Sequence, residues 1–166
     1  MQGGSAAWAA LQMTRASQDI SYMDDFAATG YTFRGVDDDI WDLYTASAYM
    51  KLDPKFVDAS TQEQYRANVV EMARNWYDSG MTRAYPRVHH PYNPTTWGAA
   101  AYPVAPQPVF IAHAIENSLE SLEWVQTTID VMLGANPMNQ SWVVGLGDNP
   151  VLNPVHVSGW NTYTGI

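Results

Sequence analysis

Carboxylates crowd one short stretch of the chain, Asp37-Asp38-Asp39, with Asp42 close behind. Hard oxygen donors of this kind suit calcium, so Asp38, Asp39 and Asp42 form a candidate ion site, although their spacing is not that of an EF-hand loop. The plainer reading is a helix start, where carboxylates cap free N–H groups and favour the positive end of the helix dipole. That reading is the better supported. His89 and His90 form an adjacent pair, which cannot face one way in a strand or a helix. Together with Tyr85 and Tyr92 they suit the rim of a loop, and an ordinary solvated loop accounts for them equally well. His113 falls inside an apolar helical pattern and reads as a hydrogen-bonded core histidine rather than a ligand. No His-Glu-x-x-His, Cys-x-x-Cys, Walker or Gly-x-Ser-x-Gly pattern occurs, so metalloprotease, zinc, nucleotide and serine-hydrolase chemistry have no support.

The densest signal lies in residues 131–154, VMLGANPMNQSWVVGLGDNPVLNP. Leu133-Gly134-Ala135-Asn136-Pro137 reads as a helix end, in which Gly134 supplies the left-handed residue and Pro137 forbids continuation. Ser141 to Gly147 then alternates around Trp142 and closes on two glycines that let the backbone turn tightly. Gly134, Gly145 and Gly147 are expected at positive φ. Asp148-Asn149-Pro150 and Asn153-Pro154 extend the loop with further turn residues. A long irregular segment inside a compact domain is more often functional than structural.

Stepping along the chain, residues 1–5 read as an exposed lead-in. Residues 6–13 are rich in helix formers, with Trp8, Leu11 and Ala7 on one face. Residues 24–35 read as a loop. A second helix is expected from the Asp37-Asp38-Asp39 cluster to about Leu52, with Ile40, Leu43, Tyr44, Ser47 and Ala48 as its stripe and Asp53-Pro54 as its stop. A third is predicted to open on a Thr61/Gln64 capping box and run to Gly80 through Tyr65, Val69, Met72, Ala73 and Trp76. Residues 81–102, polar and broken by three prolines, are expected to be an ordered loop. A fourth helix spans 107–116 and a fifth runs from Ser118 or Leu119 to Leu133, with a junction near Asn117 that fits two helices or one bent helix. Strand-like pieces around Trp142-Val143-Val144 are only local. The pattern is all-α, built of αα-hairpins with long loops gathered at one end.

Residues 131–154 resemble the C-terminal signature of glycoside hydrolase family 9, which includes many cellulases. The family's leucine-glycine-x-asparagine-proline turn matches Leu133 to Pro137. Its serine-aromatic-valine-x-glycine-x-glycine run matches Ser141 to Gly147, and Pro154 follows at the expected distance. Val36-Asp37-Asp38-Asp39-Ile40-Trp41 and Thr96-Trp97-Gly98 are similar to earlier family motifs, in the same order. The resemblance implies that residues 6–166 are the C-terminal part of an (α/α)6 barrel. It implies inverting hydrolysis of β-glucan, which needs a carboxylic acid and a carboxylate base roughly 6.5–9.5 Å apart. The family's base lies in an upstream aspartate-rich motif and its acid follows a histidine-arginine motif, so neither is expected in this chain. Asp37, Asp38 and Asp39 do not match the base motif.

Sugar-facing candidates are then Trp97, Trp142 and Tyr92 for stacking, with His156, His89 and His90 for polar contact. Where the family has proline-histidine-histidine-arginine, this chain has Pro154-Val155-His156-Val157, and Ala99, Ala100 and Ala101 replace polar residues after the tryptophan-glycine turn. These departures raise an alternative, a non-catalytic carbohydrate-binding or structural domain descended from such an enzyme.

Composition limits the partners further. The 166 residues are 46% hydrophobic, enough for one domain with a sizeable core. The net charge of −9, with only eight Lys and Arg, argues against nucleic acid. No apolar run has membrane-spanning length, which argues against a membrane partner. With no cysteine the chain has neither disulfides nor thiolate chemistry. Seven Trp and ten Tyr are many for this length; most serve a core, and some suit a groove because aromatic faces stack on sugar rings. The expected partners are therefore β-glucan or an oligosaccharide and the remainder of a parent catalytic domain. An extracellular or periplasmic location is implied by the resemblance alone.

Overall fold

The computed structural model describes residues 3–35, 40–82, 88, 107–150 and 152. They form six α-helices: α1 (Gly3–Ser17), α2 (Ser21–Ala28), α3 (Ile40–Met50), α4 (Ala59–Met81), α5 (Gln107–Glu116) and α6 (Leu119–Leu133), with a 3-10 turn at Pro54–Phe56. Among the described residues the sole β feature is an isolated bridge between Ser141 and Pro150. The expected all-α class of αα-hairpins is what the chain adopts. Packing runs mainly between neighbours: α1 lies against α2 and α3, α3 against α4, α4 against α5, and α5 against α6.

The core follows from the apolar stripes. On α4, Tyr65, Val69, Met72, Ala73 and Trp76 recur at helical spacing and are buried, as are Leu43, Ala46, Tyr49 and Met50 on α3 and Val109 and Ala112 on α5. Trp76 is fully buried, and truncating so large a side chain to alanine typically costs about 3–5 kcal/mol. The α3 stripe is broader than its pattern suggested. Thr45 is also buried, because α3 is packed by α1 on one side and α4 on the other, and its hydroxyl donates to the Gly4 carbonyl at 3.1 Å.

Several boundaries differ from the sequence reading. Gly3, Gly4 and Ser5 belong to the first turn of α1 rather than to a lead-in. The buried face of α1 is Ala7, Ala10, Leu11 and Thr14, whereas Trp8 is 46% exposed and lines an open cavity of about 560 Å³ with Tyr44. The stretch expected as a loop from residue 24 contains most of α2. Asp19 accepts the Ser21 amide at 2.9 Å where that helix begins, and the half-buried Met23 and Phe26 pack against the core. Beyond α2, Tyr31 and Phe33 fold back into an aromatic cluster around Tyr65. Ring centroids are 5.8 Å apart for Phe33 and Tyr65, 5.2 Å for Tyr49 and Tyr65, and 5.5 Å for Phe26 and Tyr49.

The Thr61/Gln64 capping box does not form. The cap is Asp58, whose carboxylate accepts the Thr61 amide at 2.7 Å, so α4 begins three residues earlier. The α5–α6 junction resolves into two helices. Asn117 takes φ +48°, and Ser118 and Ser121 exchange reciprocal capping bonds at the start of α6.

The Ser60 hydroxyl, then the Thr61 amide and hydroxyl, hold the Asp58 carboxyl below the usual carboxylate range. A lowered folded-state pKa contributes stability above the unfolded value near 3.8 and loses it as pH falls through the folded value. Asp58→Ala is therefore expected to lower the Tm at neutral pH, with the gap to wild type narrowing below pH 3.8. Thermal unfolding followed by circular dichroism at both pH values checks this; a gap constant across that range contradicts the assignment.

Candidate functional site

An α-helix ends with four carbonyls that lack intrahelical partners. At the end of α6 the following loop supplies donors to three of them. The Gly134 and Ala135 amides both donate to the Asp130 carbonyl, the latter at 2.8 Å, with Gly134 at φ +132°. The Asn136 carboxamide donates to Val131 O at 2.8 Å, and the Trp142 amide donates to Met132 O at 2.8 Å. The loop is thus fastened to the helix that precedes it.

Asn136 also organises the loop internally. Its Nδ2 donates to Gln140 O at 2.8 Å, while its Oδ1 accepts the Met138 amide at 3.1 Å and the Gln140 amide at 3.4 Å. The chain then doubles back: the Ser141 amide donates to Asn149 O at 2.9 Å, and Asn149 Nδ2 donates to Asn139 O at 2.9 Å. Gly145 and Gly147 turn the tip at φ +73° and +82°. The positive φ expected for all three glycines is observed. A Cβ on Gly147 would lie 3.3 Å from Ser141 Cβ, whereas one on Gly145 would meet open space. The strand-like run around Trp142 amounts to the single bridge at Ser141.

Trp142 is half-buried on this loop, with the exposed apolar side chains Met138, Val144 and Leu146 nearby in sequence. The other sugar-facing candidates, Trp97, Tyr92, His89, His90 and His156, lie outside the described residues, so Trp142 alone among them is placed. Of the calcium set, Asp38 and Asp39 also lie outside them. Asp42 is half-buried in the first turn of α3, and its carbonyl accepts the Tyr31 hydroxyl at 2.6 Å. Among the described residues no three His, Cys, Asp or Glu side chains converge to hold a metal ion.

His113 makes the expected hydrogen bond, but it is half-buried between two helices rather than a core residue. Its Nδ1 lies 2.9 Å from the Ser121 hydroxyl, joining α5 to α6. The contact has the composition of a nucleophile and a base, yet Ser121 is fully buried and its hydroxyl caps α6, so no substrate reaches it. The shifted carboxylates also serve local structure. Asp19, lowered by the Ser21 amide, and Asp58 are shifted in the direction opposite to that needed by a general acid. Asn136 is what sequence reasoning missed. It appeared only as the asparagine of the leucine-glycine-x-asparagine-proline turn, with no role of its own assigned to its carboxamide.

The whole assembly, an all-α chain of hairpins carrying a bonded aromatic loop after its last helix, matches known proteins. The model of glycosyl hydrolase family 9 matches residues 3–164, and the chain belongs to that family. Its fold is similar to that of a metagenome-derived glycoside hydrolase family 9 endoglucanase, with TM-score 0.68 and 23% identity over 90% of this chain and 28% of the other. It is also similar to the cellulase Cel9M of C. cellulolyticium, solved in complex with cellobiose, with TM-score 0.63 and 21% identity over 89% of this chain and 35% of the other. The chain therefore spans about a third of the length of these two proteins. Its helices form part of an (α/α)6 barrel.

Gly145 and Gly147 differ in surroundings but share a left-handed backbone, which gives a paired expectation. Gly147→Ala is expected to destabilise by about 1 kcal/mol or more, and by more than Gly145→Ala, because it adds a tight contact to the φ penalty. Urea midpoints of the two variants check the order; equal midpoints contradict it.

Proposed function

We propose that this chain is the C-terminal part, residues 6–166, of a family 9 catalytic domain of the endo-β-1,4-glucanase type, cleaving β-glucan with inversion. In this reading it supplies a wall of the substrate groove, and the catalytic acid and base come from outside the chain. The observation that carries it is the placement of Trp142 on a loop fastened to α6, within a chain matched to the family over residues 3–164. A half-exposed indole on a rigid loop offers a flat apolar face to a sugar ring while the bonded backbone keeps the ordering cost low. The cellobiose bound by one structural neighbour supports an oligosaccharide as the ligand class. Trp97 and Tyr92 would extend the stacking surface, and His89, His90 and His156 would contact hydroxyls. Substrates of polymeric size place the enzyme outside the cell or in the periplasm, and no described helix is long and apolar enough to cross a membrane.

A second reading is favoured by one specific observation. The Pro154-Val155-His156-Val157 sequence lacks the first histidine and the arginine of the family motif. In that reading the chain binds carbohydrate, or serves structure, without taking part in cleavage.

The purified chain is expected to release no reducing ends from soluble β-glucan, since it holds no matched acid and base. Release that disappears on mutating one of its own carboxylates would overturn the assignment of both groups to another segment. Cello-oligosaccharide is expected to change its tryptophan emission, and Trp142→Ala to weaken binding. Unchanged emission at saturation, together with wild-type glucan binding by Trp142→Ala, would remove the groove.

A further inference from the structure

Holding Trp142 in place is a separate problem from touching sugar. The loop has no sheet to sit in, since its one β contact is the Ser141–Pro150 bridge. Apolar packing does not explain its order either, because Met138, Val144 and Leu146 are 67%, 58% and 49% exposed. What the loop does contain is two buried polar side chains: Ser141, 2% exposed, whose hydroxyl bonds only the nearby Val143 backbone, and Asn136, 6% exposed, whose four side-chain hydrogen bonds all go to backbone and reach from α6 to Gln140. Two go out from Nδ2, one to the α6 carbonyl of Val131 and one across the turn to Gln140. Two come in to Oδ1, from Met138 and Gln140. The carboxamide therefore ties the end of the helix to the strand of chain that leads directly into Ser141 and Trp142.

We propose that Asn136 is the positioning residue of this loop, and that its carboxamide hydrogen bonds set Trp142 in the orientation that receives a sugar. The proposal rests on the groove reading for the sugar, but not for the latch itself. Buried polar groups that lose their partners cost free energy, so Val131 O, Gln140 O and the Met138 and Gln140 amides would all seek water once the carboxamide is gone. The loop is the part free to move outward to meet it, taking the Trp142 amide off Met132 O. The helices behind it, packed through Trp124 and Val109, would stay in place.

Two variants of the full 166-residue chain separate hydrogen bonding from space filling. Asn136→Leu fills nearly the same volume with no polar atoms, and Asn136→Ala removes both volume and bonds. Amide hydrogen exchange read at Ala135 and Trp142, with the α4 amides of Val69 to Ala73 as the internal folding control, reports the loop apart from the fold. In both variants the Ala135 and Trp142 amides are expected to lose protection by about tenfold or more while the α4 amides keep theirs. Cello-oligosaccharide affinity should fall with that protection. If Asn136→Leu protects Trp142 as well as wild type does, the residue acts by packing and the proposal is wrong. It is also wrong if protection is lost while affinity stays at the wild-type level and Trp142→Ala still abolishes binding. If neither wild type nor variants bind oligosaccharide, the groove reading fails, and the exchange data alone still decide whether Asn136 is the latch.

Discussion

The end of α6 sets the terms for everything the loop can do. A helix terminus near other protein must find donors for its last carbonyls, and here three sets of donors come from one short stretch that begins as soon as the helix stops. Because the partners include a side chain and a backbone amide eight residues past the glycine cap, the loop cannot shift without exposing carbonyls on the helix. Its conformation is thereby a property of α6. Gly134 lets the chain reverse, Asn136 bridges the turn, and Gly147 allows the returning segment to press against Ser141. The small and polar residues that look like a flexible connection in sequence are the ones that make it a fixed one.

The same economy appears in the helical scaffold. α4 lies against both α3 and α5, and its two faces are differently furnished. Tyr65 meets Phe33 and Tyr49 on one side, while Arg74 and Tyr77 reach over Trp124 and its neighbours on α6. Arg74 stands 5.7 Å over the Trp124 ring and 3.4 Å from Glu120, and Tyr77 donates to Glu123 at 3.1 Å. These exposed contacts are individually worth little. Burial, together with electrostatics from Glu123 and Asp78, raises the Tyr77 phenol above its ordinary value and keeps it a hydrogen-bond donor there. The loop-bearing helix is held by apolar burial first and by these polar ties at its rim.

Periodicity made α4, α5 and most of α3 and α6 legible, since Val69, Met72, Ala73 and Trp76 repeat as a buried stripe must. The glycine positions were equally open to reading because positive φ leaves few other residue types. What stayed hidden depended on contacts between distant parts. Trp8 looks like a core residue by composition, yet the face of α1 is set by where α3 lies. Most of α2 was read as loop because its Asp24-Asp25 pair reads as solvent and its burial is only partial. Thr61 and Asp58 both can cap a helix, and the choice between them was made by which side-chain oxygen reached the free amides: the Asp58 carboxylate did. Asn136 was unreadable as a hub because its partners, Val131 O and Gln140, are fixed only once the turn has formed. For the site, the sequence marked Trp142 as a loop residue correctly, while its expected companions lie outside the described residues.

The neighbour-by-neighbour packing of the helices has a kinetic side. With α1 against α2 and α3, α3 against α4, α4 against α5 and α5 against α6, most of the burial can be collected between segments close together in the chain. Low sequence separation keeps loop-closure entropy small, and topologies of this kind fold quickly for their size. A nascent chain leaving the ribosome can therefore dock each helix on one that has already emerged, with the Trp142 loop taking shape only after α6 has a finished end to fasten it to.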